Sequence, residues 1–255
     1  MRPGGERNTT DFGFEQVPVE EKGRRVRAIF DSVASRYDLL NDVMSLGIHR
    51  LWRRFAVKLA GVSRGERVLD LAGGTGDLSA RLAPLVGSEG QVVLTDINVA
   101  MLLEGRSRLA GQVIGDNVRY VQADAEYLPF ADDYFHCVTI AFGLRNMTDQ
   151  DAALASVYRV LRPGGRLIVL EFCEPTLWGF RQLYDLYSFH VLPVMGRLIV
   201  GDGKSCRYLA ESIREHPDQE TVKRMMEQAG FERCEYFNLS GGIVAVHRGY
   251  KRLVA

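Results

Sequence analysis

Residues 68–77 read VLDLAGGTGD, and the architecture of the chain follows from them. An apolar run from Val68 to Leu71 carries one acidic residue, Asp70, and enters a turn holding Gly73, Gly74, Thr75 and Gly76 before Asp77 opens a helical pattern. Strand, tight turn and helix in that order form the first half of a βαβ unit. Glycines at such a turn remove the Cβ that would keep a ligand away from the backbone. A dinucleotide turn would be spaced GxGxxG and would present its helix to a pyrophosphate. Here that spacing is absent, and Asp70 would repel phosphate while suiting an ammonium group. An adenosine joined to an amino acid fits this turn better than NAD.

Outward from the turn the alternation continues from Gly65 to Cys173, with strands expected over 67–71, 91–95, 118–122, 135–141 and 166–171. Helices are expected to start near Asp77, Val99 and Asp149, and LRPGG at 161–165 stops the last one. Two more strands end on acids: Asp96 in VLTDI and Asp124 in VQADA. Open α/β sheets bind ligands at that carboxyl edge. A carboxylate at Asp96 can accept from both hydroxyls of a ribose, and Asp124 with the backbone of Ala125 can meet an adenine amino edge. The competing reading is that each Asp caps the helix after it, since Asp is a common N-cap.

Before this core, Val26, Ile29, Phe30, Val33 and Ala34 recur at helical spacing within 19–36, and a second helix is expected over 49–59. Beyond it, an aromatic-rich helix is expected over 177–200, carrying Trp178, Phe180, Tyr184 and Tyr187. That stripe reads either as core or as the lining of an apolar cleft. A polar loop at 201–206, open to a role as a lid, two shorter helices and a strand pair near 234–239 and 243–247 should follow, with Gly241 and Gly242 at the hairpin turn.

At 255 residues, 46% hydrophobic and 25% charged, the chain can bury one sizeable core. Its 32 basic and 32 acidic residues cancel, so no overall field draws it to nucleic acid or to anionic lipid, only local patches stay open, and nucleic acid is not an expected partner. Cys137, Cys173, Cys206 and Cys234 are too scattered for a zinc site or a disulfide framework, and no metal is expected. The opening residues show no apolar secretion segment, and no run of about 18 apolar residues occurs. The expected location is the cytoplasm, with the inner face of the cell membrane open as a place of surface contact.

Several segments resemble the ubiquinone/menaquinone biosynthesis C-methyltransferases, the UbiE family. They are YDLLNDVMSLGIHRLW at 37–52, RVLRPGGRLIVLEFC at 159–173, FGLRN at 142–146, YSFHVLP at 187–193 and HRGYK at 247–251. Departures are small: Leu40 stands where Met is usual, Arg162 for Lys and Cys173 for Ser. The resemblance implies a Rossmann-like class I methyltransferase with a mostly parallel seven-stranded sheet, a C-terminal antiparallel hairpin and added N-terminal and substrate-side helices. It implies S-adenosylmethionine as cofactor, and methyl transfer to a ring carbon of a polyprenylated quinol. By position, Thr75, Asp96, Asp124 and Ala125 become cofactor contacts beside Asp70, Gly74 and Gly76. One further contact, usually Ser, is Ala141 here. The expected organisation is a helical cap over 1–64 contributing to the substrate site and a cofactor-binding domain over 65–255, with 174–216 as a covering insertion. Membrane contact, a homodimer or a complex with other quinone-biosynthesis enzymes stay open.

A phenolic quinol becomes a carbon nucleophile once its phenol loses a proton, so the site needs alignment and a group that stabilises the phenolate. Arg145, with Asn146 and Tyr37 orienting it, is the candidate. On sequence grounds alone Arg145 reads equally as a solvated charge at a helix start. His190 has the pKa of a general base but also the setting of a packed helix residue. His49, among Arg50, Arg53 and Arg54, reads as structural or surface. Rivals are methylation of another small acceptor at oxygen or nitrogen, a nicotinamide oxidoreductase, which the glycine spacing disfavours, and a non-catalytic binding module.

Overall fold

A computed structural model describes residues 9–110, 115–173, 175 and 203–253. In chain order these form β1 (Thr9–Phe12), β2 (Glu15–Pro18), α1 (Val19–Val33), α2 (Tyr37–Ser45), α3 (His49–Ala60), β3 (Arg67–Leu71), α4 (Asp77–Val86), β4 (Gln91–Asp96), α5 (Val99–Ala110), β5 (Val118–Gln122), β6 (Phe135–Ala141), α6 (Gln150–Val160), β7 (Leu161–Phe172), α7 (Gly203–Glu215), α8 (Gln219–Gln228), β8 (Glu232–Leu239) and β9 (Val244–Tyr250). Single 3-10 turns link several of them, including Leu144–Asn146 directly after β6.

Strands β3 to β9 make one seven-stranded sheet in the order β5-β4-β3-β6-β7-β9-β8. β3 to β7 pair in parallel, and β9 pairs antiparallel with both β7 and β8. Helices cover both faces, which is why the central strands are mostly apolar, with only a few buried polar residues such as Asp70 and Thr139. On β3, Val68 packs into a cluster with Trp52, Leu82, Leu94 and Ile168. Its neighbours Leu69 and Leu71 pack on the opposite face with Val138, Leu154, Val157 and Met226. This is the expected class I methyltransferase architecture.

The strand order reverses between β3, which is followed by β4 and β5 on one side, and β6 on the other. Both strand ends there leave regular geometry, with Ala72 and Phe142 held at φ 52 and 59. Non-glycine residues in that region are costly and cluster where a surrounding structure needs a particular turn. The crevice outside these ends is the switch point of an open sheet, the usual place for its ligand.

Four expectations change. The hairpin β1–β2 had no sequence signal, because its four-residue strands alternate without an apolar face. The segment from Tyr37, to which no element is assigned from sequence, contains a helix, α2. Gly203 to Cys206, expected as loop, open α7. β7 begins at Leu161, because LRPGG already pairs at its start, Leu161 opposite Phe135. The expected aromatic helix over 177–200 lies outside the described residues, and so does His190.

Candidate active site

Gly74 and Gly76 adopt φ +57 and +77, a region closed to most side chains, so the turn after β3 can fold back above the sheet. Asp96, the last residue of β4, receives that turn: its Oδ2 accepts from the Gly74 amide at 2.9 Å and its Oδ1 from the Asn98 amide at 2.9 Å. Burial nevertheless raises its carboxyl to about 6, against the pull of these backbone donors. Asp70 is placed differently from expectation. It is fully buried beneath the turn, accepting from Ser79 Oγ at 2.6 Å and Thr139 Oγ1 at 3.1 Å, and burial raises it to about 6. It holds the turn from below and is absent from the cavity wall, so the direct ammonium contact expected of it is not what the fold provides.

A cavity of about 560 Å³ opens outside the ends of β3 to β6. Gly74, Asp96, Asp124, Ala125 and Ala141, five of the expected cofactor residues, line it. Asp124 Oδ1 accepts from the Glu126 amide at 3.0 Å, capping a 3-10 turn, so the capping reading and the wall position both hold. Thr75 and Gly76 lie just behind the wall: Thr75 is buried against Arg108, and Gly76 caps α4. Asp77 is no cavity residue either, being tied to Arg53 at 3.2 Å and Arg108 at 3.2 Å. The opposite wall is α1, through Gly23, Arg27 and Phe30.

Sequence reasoning missed what holds α1 there. Asn98 is buried; its Nδ2 donates to Arg27 O at 3.2 Å and Asp31 Oδ1 at 2.9 Å, while its Oδ1 caps the Met101 amide at 3.0 Å. Lys22 Nζ, also buried, donates to Met147 O at 2.9 Å. A buried Lys is the one signal the sequence could have shown, and a helix rich in charge conceals it.

A second, predominantly apolar cavity of about 590 Å³ adjoins the first, lined by residues including Val33, Leu40, Met44, Trp52, Phe172 and Ile213. The two cavities share three wall residues, Phe30, Tyr37 and Phe142. Arg145 faces the apolar cavity and Asn146 the polar one, so the expected trio of Tyr37, Arg145 and Asn146 meets at the junction. Arg145 is only 6% exposed. Its Nη1 donates to Glu171 Oε1 at 2.6 Å and to Phe142 O at 2.7 Å, and its guanidinium lies 5.4 Å from the Phe172 ring. Its Nε is buried with no partner among the described residues. The solvated-charge reading of Arg145 therefore falls.

Two further residues come from outside the expected set. Tyr208 of α7 lines the apolar cavity, donates to Asn146 Oδ1 at 3.0 Å and has its hydroxyl pushed up to about 12 by burial. His49 is buried in the same wall rather than on the surface. Its Nε2 lies 2.7 Å from Asp42 Oδ1, Arg53 contacts its Nδ1, and burial lowers its pKa. With both ring nitrogens occupied it is a structural residue.

The profile of the ubiE/COQ5 methyltransferase family matches residues 18–251. The chain belongs to this family. Among curated relatives, "Ubiquinone/menaquinone biosynthesis C-methyltransferase UbiE" of Teredinibacter turnerae is 62% identical over 96% of this chain and 98% of its own length. The protein of the same name from Vibrio cholerae is 60% identical over 95% of this chain and 94% of its own. Among solved structures, a methyltransferase of Thermotoga maritima shares the fold at TM-score 0.63 and 19% identity, over 89% of this chain and 100% of its own. A second, from Aquifex aeolicus, gives TM-score 0.59 at 17% identity, over 78% of this chain and 88% of its own. As a ubiE/COQ5 family methyltransferase the chain uses S-adenosylmethionine, and the cavity beside the Gly74 turn suits it: Asp96 and Asp124 both line it, and the turn lacks phosphate-type glycine spacing.

Proposed function

We propose that this methyltransferase moves the methyl group of S-adenosylmethionine to a ring carbon of a polyprenylated quinol, demethylmenaquinol, 2-methoxy-6-polyprenyl-1,4-benzoquinol or both. The observation that carries this reading is the junction of a cavity with mixed polar and apolar walls and an almost wholly apolar one of similar size at Phe30, Tyr37 and Phe142. When bound, the cofactor supplies an electrophilic methyl on sulfur. Asp96 accepts from the ribose hydroxyls, Asp124 and the backbone of Ala125 meet the adenine edge, and Gly74 and Ala141 let the cofactor lie against the backbone. Thr75 and Gly76 shape the turn from behind.

Arg145 stabilises the phenolate, directly or through a water. In a wall this dry its charge acts at low dielectric and is already oriented by Glu171, so little reorganisation accompanies the reaction. Asn146, fixed by Tyr208, and Tyr37 orient the ring at the cavity junction. His190, outside the described residues, is the candidate proton acceptor. The expected cap over 1–64 is represented by α1 against the cofactor cavity and α2 and α3 against the quinol cavity; most of the expected covering insertion over 174–216 lies outside the described residues. A membrane surface, a second copy or other quinone-biosynthesis enzymes are the partners this reading allows.

Incubation with methyl-labelled S-adenosylmethionine and each quinol tests the proposal. Label is expected on a ring carbon of at least one quinol. Label on oxygen, or on neither quinol, overturns it.

A further inference from the structure

Some walls of the apolar cavity are open. Among its lining residues Leu46, Ile48 and Ser240 are exposed, Leu46 by 80% and Ile48 by 41%, so its mouth lies at the turn between α2 and α3. Leu46 sits there at φ 50 beside Gly47 at φ 75, a tight reversal that makes these side chains the tip of the turn. Leu39 on α2 and Leu51 on α3, the helices the turn joins, are 53% and 61% exposed. Four large apolar side chains offered to water on one turn and its two helices are more than the scattered exposure normal to a soluble surface.

Charge continues the pattern. Leu51, Arg54 and Lys58 recur at i, i+3 and i+7 on the exposed face of α3, and Arg50 precedes them with its side chain 62% exposed. The side chains of Arg54 and Lys58 make no hydrogen bond or ion pair among the described residues, and with Arg81 of α4 these residues line a shallow depression. The whole chain has a formal net charge of zero, so this basic stripe is a local concentration. An apolar tip beside a basic helix face matches an anionic bilayer, whose headgroups attract Lys and Arg while the acyl boundary accepts Leu.

We infer that the α2–α3 turn docks on an anionic phospholipid surface, placing the mouth of the apolar cavity against the acyl layer. Leu39, Leu46, Ile48 and Leu51 enter the boundary, and Arg54 and Lys58 hold the headgroups. A polyprenylated quinol then passes from the bilayer into the cavity without its tail crossing water. The inference rests on the quinol reading above for its purpose, though the surface itself is independent of it.

The test uses the full chain and vesicles of phosphatidylcholine with or without phosphatidylglycerol, measured by co-sedimentation. Binding is expected with phosphatidylglycerol, much less without it, and it should weaken as salt is raised. Two variants avoid the cavity walls: Arg54→Glu with Lys58→Glu, and Leu39→Ser with Leu51→Ser. Each pair should reduce vesicle binding by about tenfold or more, given the usual attraction per basic residue near such a surface. Each should keep the wild-type melting temperature within a few degrees and the turnover of a short-tailed, water-soluble quinol. With long-chain quinol in vesicles, both should raise KM. Undiminished vesicle binding by both variants overturns the inference, as does a protein that ignores vesicles and instead forms a dimer broken by the Leu pair. If the wild type methylates no quinol at all while vesicle binding responds as described, the quinol reading fails and the docking surface stands.

Discussion

At the residue scale the site depends on two groups whose surroundings work against them. Arg145 and Glu171 form an ion pair with side chains 4% and 0% exposed. Removing one partner of such a pair leaves the other charge buried, at a cost of about 3–5 kcal/mol. Arg145→Ala therefore mixes lost chemistry with lost stability, and Arg145→Lys is the cleaner substitution. Lysine keeps the charge but not the planar fork that reaches Glu171 and Phe142 O together. Turnover is expected to fall by about 10²-fold or more, on the scale of losing one oriented stabilising group, while cofactor affinity by calorimetry stays within a factor of about two.

Asp96 gives a pH signature. Burial raises its carboxyl to about 6, and in the proposed site the ionised form would be the one to accept from both ribose hydroxyls. The dissociation constant for S-adenosylmethionine should rise by up to about tenfold per pH unit below that value, the limit for a single protonation. In Asp96→Asn, affinity should be weaker and flat between pH 5 and 7. Asp70 acts on folding in the opposite sense: raised from 3.8 to about 6, it favours the folded state most fully below 3.8, and that contribution is lost as pH rises through about 6. Ser79 and Thr139 limit the loss by donating to the ionised form.

At the element scale, α1 is one wall of the cavity beside the Gly74 turn, fastened to the sheet edge by a few polar side chains as well as by its own packing. Asn98 links α5, the Asp96 turn and α1 at once, so Asn98→Ala removes the two bonds to α1 and the cap on Met101. Caps and neutral hydrogen bonds each contribute about 1 kcal/mol. Cofactor affinity is expected to drop about tenfold with kcat at saturation little changed, and hydrogen exchange should quicken over α1 before it does over β3 or β4. Unchanged protection over α1 would show that the helix is held by its packing alone. The hairpin β1–β2 secures the same region from the far side, where Phe12 stacks on Tyr208 at 4.5 Å between ring centroids, connecting the chain's start to the residue that orients Asn146.

At the scale of the whole molecule, cofactor binding should raise the melting temperature in proportion to the logarithm of its concentration, because only the folded chain presents the assembled crevice. A hundredfold excess over the dissociation constant corresponds to about 2.7 kcal/mol, readable by calorimetry, and Asp96→Asn should shift little under the same conditions. The order of elements was legible from periodicity and punctuation: strands at 67–71, 118–122 and 135–141 coincide with β3, β5 and β6, and helices begin where Asp77, Val99 and Asp149 suggested. Those signals are local, since glycine turns, capping residues and apolar periods act within a few residues. What escaped were pieces without a period of their own, the short β1–β2 hairpin and the opening turn of α7.

By itself the sequence determined the α/β class, the cofactor turn and three acids near the strand ends, because each depends on neighbours in the chain. Only the tertiary structure decided which acids line the crevice, sending Asp70 under the turn and Asp96 and Asp124 to the wall. It also decided that Arg145 would be buried on Glu171, 26 residues away, and that Tyr208 would reach Asn146 across 62. Contacts of that length are set by how layers pack on the two faces of the sheet, and no local pattern records them.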